Sequence, residues 1–303
     1  MRFSGHETFH LRDGWLHKGL KLLMQEPDEL VGPNAADRLG VGINMAKSIR
    51  YWLQVTELAE LGEKPASGPR GMIPTKLGKM IFQKDPYFLE PGTLWALHIN
   101  LVSGSQAGSW HWFFNYFNLT RFEREVCQEN LRQFLQLRQV RLPSHTTLER
   151  DLQCMLASYA QSIPPRSEDP EEEPYCPFVD LELLRHYRSS GLYEINRDPK
   201  PVPFELIGYS IAKVFSSVSQ GKGRVDIRLE EVQRQPGAPG RVFALSPESL
   251  FDSLLAAESE CSGSAIQISG LAGERAIRVL SRNPFQWLED YYSRIEKEEK
   301  HAA

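Results

Sequence analysis

Residues 34–58 read NAADRLGVGINMAKSIRYWLQVTEL, and the periodicity of this stretch decides what kind of molecule the chain is. Met45, Ala46, Ile49, Trp52, Leu53 and Thr56 recur at the 3.6-residue spacing of one helix face. Asn44, Lys47, Tyr51 and Gln54 recur on the other, flanked by Ser48 and Arg50. One face can pack and the other can enter a groove. Ahead of it, a short helix containing the small Ala36 ends at Gly40, where the chain has to take φ > 0. Helix, glycine turn and second helix in this order predict a helix-turn-helix. An ordinary helical hairpin has the same order of parts. The outward face here, however, offers Asn, Lys, Arg, Tyr and Gln, which reach phosphates and base edges, rather than the Glu/Lys mixture of a merely solvated helix.

The stretch that follows, GEKPASGPRGMIPTKLGKMIF over residues 62–82, is a Gly/Pro-rich basic loop, a short apolar step at Met72 and Ile73, and a small helix begun near Thr75. A loop carrying Lys64 and Arg70 between two extended pieces is what a basic wing looks like. Residues 1–84 therefore read as a winged helix-turn-helix, with Lys64, Arg70 and Lys76 as phosphate-positioning candidates. The charge is distributed accordingly: the chain carries 35 Lys+Arg and 39 Asp+Glu, a net charge of -4, yet residues 1–84 hold 12 basic against 9 acidic side chains. That excess is small, so salt-sensitive affinity for double-stranded DNA is expected, supplemented by partners or by homodimerisation.

At 303 residues the chain can bury more than one core. It has no run of 18 apolar residues, and MRFSGHETFH lacks the apolar centre of a signal peptide, so a cytoplasmic protein with no membrane partner is expected. Cys127, Cys154, Cys176 and Cys261 are scattered and form no C-x-x-C pair, which points to buried thiols rather than a disulfide framework or structural zinc site.

The amino-terminal run Phe3-Ser-Gly-His-Glu-Thr-Phe9, followed by His10, gathers His6, Glu7 and His10 within five positions. Histidine with carboxylate is the raw material of metal or general-base chemistry, although the spacing matches no established ligand motif. A structural role competes: Glu7 can pair with Arg12, and the histidines can satisfy backbone groups. The segments FSGHETFHLRDGWLHKG, residues 3–19, and LGVGINMAKSIRYWL, residues 39–53, resemble in order a bacterial family that includes the SspB-type protein of single-strand DNA phosphorothioation operons. The resemblance is strongest over residues 1–84. It implies a DNA-nicking endonuclease of an antiphage defence system, acting with the sulfur-transfer and ATPase proteins of the same operon, and it maps no catalytic residue onto this chain.

Residues 85–163 read as a helical middle unit. The run SWHWFFNYF suits either a stacking platform for single-stranded bases or a buried helix, and so continuous a run cannot expose every ring. Ser144 is placed to cap a helix over residues 146–159, which with the helix over 122–137 makes either a second helix-turn-helix or part of a bundle. Residues 164–174, acidic and Pro-rich, read as a linker.

Residues 175–303 read as a small α+β unit: a helix after Pro203, a strand at RVDIRL, a helix after Ser246, a short strand over 265–269, and a closing helix over 287–295 ahead of a fraying EKEEKHAA tail. Metal-dependent cleavage needs carboxylates around one or two cations, and Asp226, with Glu205, Glu230 and Glu231, is the candidate group for Mg or Mn. Asp226-Ile227-Arg228 has Arg where the acidic-residue, x, Lys signature has Lys, and salt bridges explain the same charges. GKGR at Gly221 lacks the spacing of a phosphate-binding loop, which disfavours an NTPase.

The expected architecture is thus mainly α: an N-terminal winged helix-turn-helix, a helical middle unit and a small α+β C-terminal unit. DNA is expected at Asn44, Lys47, Ser48, Arg50, Tyr51 and Gln54. Catalysis is expected at His6, Glu7, His10 or Asp226; a noncatalytic DNA-binding adaptor is the competing expectation.

Overall fold

Trp15, Leu16, Leu20 and Leu23 make one apolar stripe and Ala46, Ile49, Trp52 and Leu53 another, and all eight are buried. The two stripes meet where Gly19 lets the helices close up: a Cβ there would lie 2.5 Å from Ile49 Cγ2. In the computed structural model, which describes residues 1–63, 70–164, 175–271 and 274–302, this contact belongs to the first of two compact units. That unit comprises Met1–Phe113 and Phe117–Ile195; the second comprises Phe114–Tyr116 and Asn196–Ala303. The described residues are 56% helical with small sheets.

The first unit opens with helices α1 (Trp15–Gln25), α2 (Pro27–Val31), α3 (Ala35–Leu39) and α4 (Ile43–Val55). Gly40 ends α3 at φ +64°, the left-handed turn expected there. Strands β1 (Ala59–Leu61) and β2 (Met72–Pro74) pair antiparallel, with Glu60 opposite Ile73. Helix α5 (Lys76–Lys84) follows, its first turn capped by the Thr75 hydroxyl, which accepts from the Gly78 N–H at 3.0 Å. Then come α6 (Pro91–Ser103), α7 (Gly108–Tyr116), β3 (Arg121–Phe122), α8 (Arg124–Leu137), α9 (His145–Tyr159) and β4 (Ala160–Ile163). Strands β5 (Leu184–Tyr187) and β6 (Leu192–Ile195) complete a four-stranded sheet of order β3-β6-β5-β4. Ser144 caps α9, accepting from the Thr147 N–H at 3.1 Å. The rings of Trp110, Trp112, Phe113 and Phe114 on α7 are buried, so that helix is core and not a stacking platform.

The acidic segment does not separate two units. β4 pairs in parallel with β5, so the chain before residue 164 and the chain after residue 174 share one sheet, and the boundary falls at Ile195 instead. Residues 1–84 and 85–163 likewise fold together, the Asn100 side-chain amide donating to the Thr56 carbonyl at 3.3 Å. Residues 165–174 themselves lie outside the described residues.

The second unit holds α10 (Phe204–Val214), α11 (Ser216–Gln220), β7 (Arg224–Arg228), α12 (Leu229–Arg234), α13 (Pro239–Val242), α14 (Pro247–Glu260), β8 (Ile266–Leu271), β9 (Glu274–Leu280) and α15 (Pro284–Ala302). The sheet is antiparallel with β9 central. The tail expected to fray is helical as far as Ala302, and Arg294 on that helix ties it back. Its guanidinium grips the Glu205 carboxylate of α10 through two bonds of 2.7 and 3.0 Å and reaches Glu298 at 3.0 Å.

Two stability measurements test this packing. A Cβ on Gly78 would lie 2.1 Å from the Leu58 carbonyl oxygen, which cannot rotate away, whereas the side chains facing Gly19 can yield. Gly78→Ala is therefore expected to cost on the order of 3 kcal/mol and Gly19→Ala about 1 kcal/mol in urea unfolding; equal costs would contradict the crossing geometry. Arg294→Met leaves the Glu205 carboxylate, 1% exposed, without its partner. The expected loss is about 3 kcal/mol, and a variant as stable as the parent would show the pair to be dispensable.

Candidate nucleic-acid interface

The first turn of α4 follows two glycines and has no acidic residue, so its amide groups and the positive end of the helix dipole are offered without a competing carboxylate. Ile43 is 71% exposed, and Asn44 and Lys47 are exposed beside it. The Lys47 ammonium donates to the Asn44 side-chain carbonyl at 3.3 Å, so the two polar groups stand together one turn apart.

Beyond Lys47 the polar face does not stay outside. Ser48 and Tyr51 are buried, which corrects the expectation that they contact DNA; Arg50 and Gln54 are half-buried. The Arg50 guanidinium is drawn toward α2, donating to the Leu30 carbonyl at 3.3 Å, and its desolvation lowers its pKa. Tyr51 is covered by the amino-terminal segment: Gly5 approaches so closely that a Cβ would sit 2.9 Å from Tyr51 Cδ2, and the His6 ring packs edge-on at 5.8 Å. Burial, then the nearby negative charge of Asp151, pushes the Tyr51 phenol well above its ordinary pKa.

Among the basic candidates around β1 and β2, Arg70 is exposed and its Nε–H donates to the Gly62 carbonyl at 2.6 Å. Lys76 is exposed at the start of α5. Lys64 lies outside the described residues.

The amino-terminal segment owes its position to Asp151. This carboxylate, 1% exposed on α9, accepts from the Ser4 N–H at 2.6 Å, from His6 Nε2 at 2.9 Å and from the Ser109 hydroxyl at 2.5 Å. His6 Nδ1 accepts from the Thr8 N–H at 3.1 Å, so both ring nitrogens are in use and the Nε2 proton points at Asp151. Ser4, Gly5, Glu7 and Thr8 all have positive φ, the conformation that wraps the backbone around the imidazole. Glu7 is exposed and His10 half-buried. Arg12 lies over the rings of Phe9 and Trp15, at 5.3 and 5.2 Å, and among the described residues no ion pair joins it to Glu7. Asp151 was not anticipated. Its signal was a carboxylate at the i+3 position from Leu148 within the apolar stripe of α9, where a charge has to find donors.

The carboxylates of the second unit are similarly committed. Asp226 is bound by Arg278 through bonds of 2.8 and 3.0 Å, and these lower its pKa. Glu230 pairs with Arg234 at 2.9 Å, Glu231 with Arg228 at 3.2 Å, and Glu205 with Arg294. Among the described residues no three His, Cys, Asp or Glu side chains converge as a metal site, and His6, Glu7 and His10 are not joined to Asp226 in one unit. All four cysteines are buried, and desolvation raises the thiols of Cys127, Cys154 and Cys176 above their usual range. Among the described residues no helix is long and apolar enough to cross a membrane.

The fold has solved counterparts. A structure described as a magnesium ion-bound SspB crystal structure superposes with a TM-score of 0.83 at 26% sequence identity, over 96% of this chain and 88% of that one. A second, described as an SspB crystal structure, gives 0.82 at the same identity and coverage. No match was found by sequence among curated proteins. Residues 3–292 match a family described as "Protein of unknown function (DUF4007)". The chain, aligned over nearly its whole length, belongs to that DUF4007 family.

Proposed function

We propose that this protein is the DNA-contacting component of an SspB-type phosphorothioation system, and that it engages duplex DNA with the amino-terminal turn of α4. The observation that carries this reading is the exposure of Ile43, Asn44 and Lys47 at the start of a helix whose remaining length is packed. Recognition helices of helix-turn-helix proteins contact base edges with their amino-terminal residues, so burial of Ser48 and Tyr51 shortens the reading surface without removing it. Asn44 suits an adenine edge and Lys47 a guanine edge or a phosphate. The β1-β2 pair with Arg70 acts as the wing, and Lys76 adds a phosphate contact. The likeness to SspB supports a place in that system beside sulfur-transfer and ATPase proteins. A homodimer would double the phosphate contacts.

Within this reading the protein nicks one strand to admit sulfur. A magnesium ion, named in the description of a similar structure, does not fit His6 or Asp226 as they are bonded here. It would have to displace Arg278 from Asp226, or three hydrogen-bond donors from the buried Asp151 beside His6. No catalytic step is therefore assigned to them, and their commitment to structural bonds favours a second reading, a noncatalytic adaptor that brings partner enzymes to DNA.

Lys47→Glu combined with Asn44→Ala is expected to weaken duplex retention in a gel shift at least tenfold at moderate salt; unchanged retention would remove the groove assignment. Supercoiled plasmid incubated with the protein and Mg²⁺ or Mn²⁺, with an EDTA control, separates the two readings, since a nickase yields open circles and an adaptor leaves the plasmid supercoiled. Asp151→Asn is expected to lower stability by about 2 kcal/mol in urea, because the amide replaces the oxygen that accepts from Ser109 with a donor and removes the charge that strengthens the Ser4 and His6 bonds. Parental stability would show that the amino-terminal segment is held some other way.

A further inference from the structure

The second unit contains a cleft apart from α4, lined by Glu230 of the candidate carboxylates but not by Asp226. It is about 370 Å³, within the range of roughly 300 to 1,000 Å³ typical of small-ligand sites, and lies between α12 and the start of β9. Three guanidinium groups line it: Arg228, Arg234 and Arg275. Arg228 and Arg234 are steadied by Glu231 at 3.2 Å and Glu230 at 2.9 Å, ion pairs that hold long side chains in place at the rim. Arg275 is different. It is exposed, its guanidinium lies 4.8 Å over the Phe251 ring, and among the described residues it makes no ion pair. A guanidinium held over an aromatic ring keeps its far side open to a second flat group.

Glu230 and Glu274 also line the cleft and Glu231 pairs with Arg228, so it is not a simple basic patch: opposite charges balance there, and a ligand would meet Arg275 and the N–H groups that Arg228 and Arg234 leave beyond their ion pairs. A guanidinium over a ring beside two further guanidinium forks matches a nucleotide: the base stacks on Arg275, and the flanking phosphates meet the N–H groups of Arg228 and Arg234 that Glu231 and Glu230 do not use. A base can reach such a platform only when it is unpaired. We propose that this cleft binds one unpaired nucleotide of a single-stranded DNA segment, as a contact separate from the duplex contact at α4. The choice of DNA rests on the reading of this protein as a DNA-contacting component; the choice of an unpaired nucleotide rests on the cleft.

The test is fluorescence anisotropy of labelled dT10 with the full chain at low salt, in parallel with a labelled duplex. Arg275→Glu is expected to weaken dT10 binding at least tenfold and to leave duplex binding unchanged. Arg275→Lys, which keeps the charge and loses the plane, is expected to weaken it a few-fold, and dTMP is expected to compete better than inorganic phosphate. Lys47→Glu should show the converse, losing the duplex and keeping dT10. The proposal is overturned if the parent does not bind dT10, if Arg275→Glu binds it as the parent does, if phosphate competes as well as dTMP, or if Lys47→Glu loses dT10 together with the duplex. Loss of duplex binding alone in none of these variants would overturn the α4 reading and leave the cleft standing.

Discussion

The first unit depends on a carboxylate that has been taken out of water. Asp151 sits on the apolar face of α9, where an unpartnered charge would be untenable, and its stability there requires donors from distant parts of the chain: Ser4, His6 and Ser109. In meeting that requirement the amino-terminal segment is drawn across α4. Ser4, Glu7 and Thr8 take left-handed backbone conformations that cost energy singly, and they persist because the carboxylate, the Tyr51 ring and the backbone pairing of Arg2 with Ser105 and Gly108 determine them jointly.

That arrangement divides α4 into two lengths. Its later turns carry Ser48, Ile49, Tyr51, Trp52 and Leu53 into the core, where Trp52 meets Trp110 edge-on at 5.5 Å, so the helix is anchored along most of its length. Its first turn is left to solvent and can be presented rigidly. Side chains that project from a fixed axis lose less conformational entropy on binding. The second unit uses charge differently. Asp226, Glu205, Glu230 and Glu231 are matched with arginines, whereas Arg275 lies over an aromatic ring and, among the described residues, makes no ion pair.

Much of this was legible in the sequence because it rests on local rules. The 3.6-residue stripe of α4, the left-handed turn at Gly40, the Thr75, Ser144 and Ser246 caps and the alternation in β7 each depend on a few neighbouring residues. What the sequence did not reveal is long-range. Tyr51 and Ser48 lie on the polar side of the helix by periodicity, and only the path of residues 1–10 decides that this side is covered. The parallel pairing of β4 with β5 spans an acidic stretch that reads as a linker, and strands of four residues carry too little pattern to announce it. Among the catalytic candidates, Asp226 and His6 were chosen for their chemistry, while their partners Arg278 and Asp151 stand 52 and 145 positions away.

The anchoring of the amino-terminal segment carries one more implication. Terminal residues ordinarily open and close independently of the rest of a domain, at almost no free-energy cost. Here the Ser4 amide is bonded to a core helix and the His6 ring is enclosed, so these residues join the cooperative unfolding unit of α9. Proteolytic nicking or amide exchange within the first ten positions accordingly becomes a gauge of global unfolding in the first unit, instead of a report on a loose end.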